Sequence, residues 1–147
     1  MENLDHRTLA ATNYNRCFEL LEEVNRSAEQ NVELLTSAFT SRYHWREAGG
    51  NEQWVTSDWM VARVAGALGH GLLALSYAQR AYDAAQDPRI PDWLLASTAE
   101  GMARAYAVLG DVEQRNAWCL TCEKLIGDIR DDDDRSIIAQ QLASVLR

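Results

Sequence analysis

Apolar residues recur every three or four positions along most of the chain, and this spacing constrains the fold more than any other feature. The first such row carries Ala10, Tyr14, Cys17, Leu21 and Val24. Residues spaced in this way share one face of an α-helix, so each row predicts a helix with one buried face. No stretch alternates apolar and polar residues for long enough to predict a strand. We predict an all-α chain of about seven helices, over residues 6–24, 27–47, 51–68, 70–86, 91–109, 111–129 and 133–146.

Two further helices have apolar rows of the same kind, one with Leu95, Ala99, Met102, Tyr106 and Leu109, the other with Val112, Cys119, Cys122, Ile126 and Ile129. The fourth helix differs because its row is wholly alanine, at Ala74, Ala78, Ala81 and Ala85. Side chains this small let a neighbouring helix approach closely. We therefore predict that the fourth helix packs tightly along this row.

Helix starts and ends are also legible. Ser27 and Asp111 are each followed three residues later by glutamine, the pattern of a capping box. Glycines at 49–50, Gly69 and Gly110 lie where helices should end. Glycine commonly supplies the left-handed conformation that terminates a helix, so we expect that conformation at these positions.

An internal repeat carries a resemblance to a known family. Residues 67–70 recur in similar form at 108–111, each time before a predicted helix. The stretches "ALGHGLLALSYAQRAYDAA" and "GMARAYAVLGDVEQRNAWCLTCEKL" resemble tetratricopeptide repeats, and the whole chain resembles short bacterial proteins sharing "SRYHW", "DWMVARV" and "AYAVLGD". The resemblance implies one domain over 1–147, built as stacked antiparallel hairpins with the last helix as a cap.

Composition excludes some partners and favours a compartment. The chain has 147 residues and a formal net charge of −8 at pH 7, which would repel nucleic acid and anionic membranes. No segment has the length and apolar character of a signal peptide or a membrane span. The 3 cysteines are an odd number and do not form a disulfide framework. We expect a cytoplasmic protein, with neither nucleic acid nor membrane as its partner.

No arrangement of residues specifies catalysis, a metal or a cofactor. Cys119 and Cys122 form a C-x-x-C after Trp118, but they lie inside a predicted helix and on its apolar row, so we predict buried free thiols. The four aspartates at 131–134 lack the ligand pattern of a calcium loop and are predicted to cap the last helix.

The segment 42–63 holds the candidate binding residues. Tryptophan, tyrosine and arginine are favoured anchors in binding sites, and three of the 5 tryptophans lie here. The alternative is that these aromatic residues only fill the core. The candidate groove residues are Arg42, Tyr43, His44, Trp45, Trp54, Asp58, Trp59 and Arg63.

Three functions remain open at this point. The first is a non-enzymatic module that binds a protein or peptide in a groove of the stacked hairpins, an inference that rests on fold analogy. The second is a small-ligand binder or enzyme with a pocket around His44, Asp58 and Arg63. The third is self-association as a homodimer through an exposed apolar face.

One specific contact can be predicted between the second and third helices. Each helix has a single charged residue in an otherwise apolar row, Arg42 in one and Asp58 in the other. The two residues lie equally far before and after Gly50, and in an antiparallel hairpin such positions face each other. The same argument places Trp45 near Trp54. We therefore predict an Arg42–Asp58 ion pair, shielded by these two tryptophans.

Overall fold

The computed structural model of the protein describes residues 5–145, and the described part of the chain contains helices and no strands. Seven helices confirm the predicted all-α class, and their order matches the sequence prediction. Their bounds are α1 His6–Glu22, α2 Ala28–Ala48, α3 Asn51–Ala67, α4 Gly71–Ala84, α5 Asp92–Leu109, α6 Val112–Gly127 and α7 Asp132–Val145.

The helices form two layers, one of odd-numbered and one of even-numbered helices. Each helix packs against the next one along the chain. Within the odd layer α1 also contacts α3, α3 contacts α5, and α5 contacts α7. In the even layer the described contacts are made by side chains. The Phe39 and Tyr77 rings join α2 to α4 with 5.5 Å between centroids, and the Tyr82 and Trp118 rings join α4 to α6 with 4.7 Å. The backbones approach each other more closely on the odd side, and α3 and α5 lie at its centre.

Close packing of α4 against its neighbours follows from its row of alanines. Ala74, Ala78, Ala81 and Ala85 are all buried, as predicted. A Cβ atom added at Gly101 of α5 would lie 4.0 Å from the Cβ of Ala78. The two helices therefore approach closely at positions where both side chains are small.

The predicted helix ends are confirmed at most positions. Ser27 and Gln30 form a complete capping box, and Asp111 accepts a hydrogen bond from the backbone N–H of Gln114. Gly69 and Gly110 have φ of 79° and 76°, the left-handed conformation expected there.

The turn at residues 49–50 differs from the prediction because its backbone is not left-handed. Gly49 has a φ of −96°, which other residues also adopt. Its need for glycine is steric, since a Cβ there would lie 2.7 Å from the Cβ of Gln53 and 2.8 Å from the carbonyl oxygen of Trp45.

Four large apolar residues at positions of the apolar rows are exposed. Val24 is 92% exposed because α1 already ends at Glu22. Leu109 and Val112 are exposed at the last position of α5 and the first position of α6. In α2 the apolar spacing runs through Val32, Leu35 and Phe39, and Val32 is exposed because the most deeply buried face consists of Leu34, Ser37, Ala38 and Ser41. Ser41 satisfies its hydroxyl there by donating to the carbonyl oxygen of Ala10 at 2.8 Å.

None of the helices in the described part of the chain combines the length and the apolar character needed to cross a membrane.

Candidate functional site

A groove of about 230 Å³ crosses the odd layer and is the first candidate site. All four odd-numbered helices contribute side chains to it. Its wall is mainly aromatic and aliphatic, with a few polar groups among them: Tyr14, Phe18, Thr56, Trp59, Trp93, Leu94, Ser97, Asp134, Ile137, Ile138 and Gln141. A cavity that combines apolar walls with few polar groups is typical of a binding site.

The aromatic residues of the groove brace one another. The ring of Tyr14 contacts that of Phe18 edge-on, with 5.2 Å between centroids, and Phe18 lies 6.4 Å from Trp59. Trp59 is nearly buried, whereas Phe18 and Ile137 are 41% and 53% exposed. The groove therefore has a fixed aromatic floor and an apolar rim that is open to solvent.

A second cavity, also of about 230 Å³, extends the groove towards the start of α3. It shares Tyr14, Thr56 and Trp93 with the first cavity and adds the ring of Trp45. The two cavities together can receive two neighbouring side chains of a bound segment.

One end of the groove is acidic. Asp134 lines the groove, and its backbone N–H donates to the side chain of Asp131, which confirms the predicted cap of α7. Partial desolvation and the negative charges of Asp131, Asp92 and Asp133 raise the pKa of Asp134. A cation placed at this end of the groove would relieve that repulsion.

The predicted Arg42–Asp58 ion pair is present, with 2.6 Å between Nε of Arg42 and Oδ1 of Asp58. Two further arginines share the buried carboxylate. Nη2 of Arg46 lies 3.3 Å from Oδ2, and Nε of Arg80 on α4 lies 3.9 Å from the same oxygen. We call Arg42, Arg46, Arg80 and Asp58 the Asp58 cluster.

The shielding of this pair is partly different from the prediction. Trp54 does lie near Trp45, and its indole N–H donates to the Trp45 carbonyl oxygen at 2.9 Å. Trp54 also stacks under Arg46, with 5.4 Å from the guanidinium carbon to the ring centroid. The Trp45 ring, however, faces the groove, and the aromatic residue beside Arg42 is Tyr77, at 5.3 Å. Tyr77 belongs to α4, whose position could not be counted from the α2–α3 turn.

Tyr43 and His44 lie near the start of α1. Nδ1 of His44 is 2.8 Å from Nδ1 of His6, so one ring donates a proton and the other accepts it. The Tyr43 ring is 59% exposed and contacts both imidazoles edge-on.

Arg63 belongs to a buried polar network between α3, α5 and α7. Glu100, which has no exposed surface, is contacted by Arg63 at 3.7 Å and is bonded by Arg104 through Nε at 2.7 Å. Arg104 continues to α7, where it donates to the Gln141 carbonyl oxygen and to the Ser144 hydroxyl.

Burial is the main cause of the pKa shifts of Glu100 and Arg63 in this network. Burial raises the pKa of Glu100 and lowers the pKa of Arg63, since it disfavours the charged form of each group. Within the described residues, Oε2 of Glu100 and Nη1 of Arg63 have no hydrogen-bond partner.

The eight candidate residues therefore do not form one site. Arg42, Trp54 and Asp58 lie together, Trp45 and Trp59 line the odd-layer groove, Tyr43 and His44 contact His6, and Arg63 contacts Glu100. The pocket expected around His44, Asp58 and Arg63 is not assembled, because each of these side chains contacts different partners.

The sequence analysis did not identify several residues of these sites. Only some of them could have been recognised from a pattern in the sequence. Glu100 lies four residues after Ala96 and three before Ala103 on the buried face of α5, the same interruption that identified Asp58. Tyr14, Trp93 and Ile137 carried no such signal, because only the stacking of α1, α5 and α7 brings them together.

The cysteines lie where the sequence predicted. Cys17, Cys119 and Cys122 are buried free thiols. The thiol of Cys122 donates to the Ala96 carbonyl oxygen at 3.4 Å, so it is engaged inside the core of α5 and α6.

Comparison with known proteins identifies no relative of this chain. No protein-family model matches it, and no match was found among curated proteins or solved structures. The candidate sites therefore have to be interpreted from their own geometry.

Proposed function

We propose that this protein is a non-enzymatic binding module that holds a segment of another protein in the odd-layer groove. The observation that carries the proposal is the aromatic groove to which α1, α3, α5 and α7 all contribute. A concave, mainly apolar surface with a few polar groups is the usual form of a binding site. The tetratricopeptide resemblance and a cytoplasmic location belong to this proposal as well.

The shape and charge of the groove favour one kind of partner. Its volume of about 230 Å³ suits one large side chain, and the adjoining cavity suits a second. Asp134 stands at one end among other aspartates that raise its pKa. We infer that the bound segment carries two large apolar side chains next to a lysine or arginine.

Display of random peptides against the folded protein tests this proposal. We expect the selected peptides to share apolar residues next to a basic residue. Ile137→Asp should abolish their binding, because this rim side chain is 53% exposed and its replacement should leave the fold intact. Val32→Asp is the matched control, since Val32 is 62% exposed on α2 in the other layer.

Two outcomes would contradict the proposal. Selected peptides that bind equally well to Ile137→Asp would place the binding site elsewhere. A wild-type protein that sediments as a dimer, and as a monomer after Ile137→Asp, would assign the groove to self-association instead.

A further inference from the structure

We propose that the Asp58 cluster binds a phosphate dianion, either free or carried by a phosphorylated side chain, on a surface separate from the odd-layer groove. Three guanidinium groups surround one carboxylate, which leaves a local charge of +2 on a chain whose net charge is −8. If the arginines served only to neutralise Asp58, one of them would suffice, and Arg42 already does so at 2.6 Å.

Arg46 and Arg80 retain most of their donors. A guanidinium group carries five N–H donors. Arg46 uses one of them, from Nη2 to Asp58, and Arg80 makes no hydrogen bond within the described residues, because its distance to Asp58 is 3.9 Å. Their side chains are 37% and 53% exposed, so these donors are accessible to a ligand.

Aromatic rings contact all three arginines. Arg46 stacks on Trp54, and Arg42 and Arg80 lie 5.3 and 5.8 Å from the centroid of Tyr77. Stacking of this kind restricts the guanidinium before a ligand arrives and lowers the entropic cost of binding.

Beside the cluster a cleft of about 280 Å³ provides room for the ligand. Of the cluster, Arg46 and Asp58 line this cleft, together with Trp54 and Asn51, whereas Arg42 and Arg80 reach Asp58 from outside it. Arg89 and Asp87 lie at its edge but form their own ion pair at 2.7 Å, so they do not change the local charge.

The charge and the convergence of the donors select the ligand class. A phosphate monoester carries a charge of about −1.5 to −2 and three acceptor oxygens, so it would neutralise the excess of +2 at one point. A single carboxylate ligand would neutralise only half of this excess positive charge. The donors converge on one carboxylate rather than forming a stripe, and the net charge of −8 opposes a nucleic-acid backbone.

Titration of the full chain with inorganic phosphate, at constant ionic strength maintained with chloride, tests this inference. We expect saturable binding that shifts the Nε–H resonances of Arg46 and Arg80. Arg46→Gln and Arg80→Gln should each weaken binding about tenfold, since each removes one charge-assisted interaction. Arg115→Gln is the matched control, because the Arg115 side chain lies on α6 and donates to its neighbour Asn116.

A second arm distinguishes free phosphate from a phosphorylated protein. A short phosphoserine peptide that binds at least tenfold more tightly than inorganic phosphate, with the same loss in Arg80→Gln, would identify a phosphorylated side chain as the ligand. Equal affinities would identify free phosphate. No saturable binding by either probe, or an equal loss in Arg115→Gln, would overturn the inference. Neither outcome depends on the groove, which is tested with unphosphorylated peptides.

Discussion

Asp58 is the residue on which three helices depend, because its carboxylate holds arginines from α2 and α4. We predict that Asp58→Ala destabilises the protein by about 3 kcal/mol, since it removes the carboxylate that pairs with the largely buried Arg42. Arg46 and Arg80 are more exposed and can turn towards water, so the cost should stay near the lower end for a buried pair. Chemical denaturation measures this change.

Asp83→Asn provides the control for this experiment, because Asp83 is exposed and its carboxylate accepts a hydrogen bond from Gln79 on its own helix. If Asp58→Ala unfolded no more readily than this control, the pair would carry no structural role.

The cysteines should be unreactive in the folded protein. Burial raises the pKa of both Cys17 and Cys122 to about 12, and it also raises the pKa of Cys119. The thiolate is the reactive species, so we predict slow labelling by a thiol reagent at pH 8 and rapid labelling of all 3 after denaturation. A thiol that reacts rapidly in the native state, or a Cys119–Cys122 disulfide, would show that this prediction is wrong.

At the scale of the helices, the alanine row of α4 makes a direct prediction. Ala78 is buried close to Gly101, where α4 meets α5. Ala78→Leu should destabilise the protein by about 1–3 kcal/mol, because the extra carbons cannot be accommodated without shifting a helix. Ser76→Leu, at an exposed position of the same helix, is the control. Equal melting temperatures for the two variants would mean that the α4–α5 contact is loose.

The network of Glu100 predicts a pH dependence that links α3, α5 and α7. Burial raises its pKa, so the folded state retains this proton to a higher pH than the unfolded state. The resulting stabilisation is complete below the unfolded-state pKa of about 4.3 and is lost as the pH rises through the raised value. Relative to Glu100→Gln, the wild type should therefore lose unfolding free energy with increasing pH.

Denaturant titrations between pH 4 and 8 measure this difference, with Glu113→Gln at an exposed position as the control. If the wild type instead gained stability over Glu100→Gln as the pH rose, Arg63 and Arg104 would outweigh the burial of the carboxylate.

The helices were predictable from sequence because their signals are local. The box of Ser27 and Gln30 and the glycines at 69 and 110 act within one turn of the backbone. The buried face of each helix was harder to predict from the sequence. Val32 follows the apolar spacing of α2 and is nevertheless exposed, because the buried face includes Ser41, whose hydroxyl donates to the Ala10 carbonyl oxygen. Hydropathy alone cannot recognise such a polar position as core.

The residues of the candidate sites likewise divide into those that were predictable from the sequence and those that were not. The Arg42–Asp58 pair was predictable because a short hairpin fixes the register of its two helices. Arg80 and Tyr77 joined this cluster from α4, and Trp93 and Ile137 joined the groove from α5 and α7. Their positions depend on how the helical hairpins stack against one another, and residue spacing along the chain does not determine this stacking.

For the whole molecule, the two-layer arrangement separates two surfaces with different chemistry. The odd layer presents an apolar groove with an acidic end, and the Asp58 cluster presents arginines between α2, α3 and α4. The groove has an aromatic floor that neighbouring rings hold in place. This groove, to which α1, α3, α5 and α7 all contribute, is the central reason for proposing a binding module.

The indole N–H resonances of the 5 tryptophans test this claim most directly, because they report from both layers at once. On titration with a peptide selected by display, we predict shifts for Trp59 and Trp93, which line the groove, and none for Trp118, which packs against Tyr82 in the even layer. Unchanged resonances of Trp59 and Trp93 in the presence of saturating peptide would contradict the account.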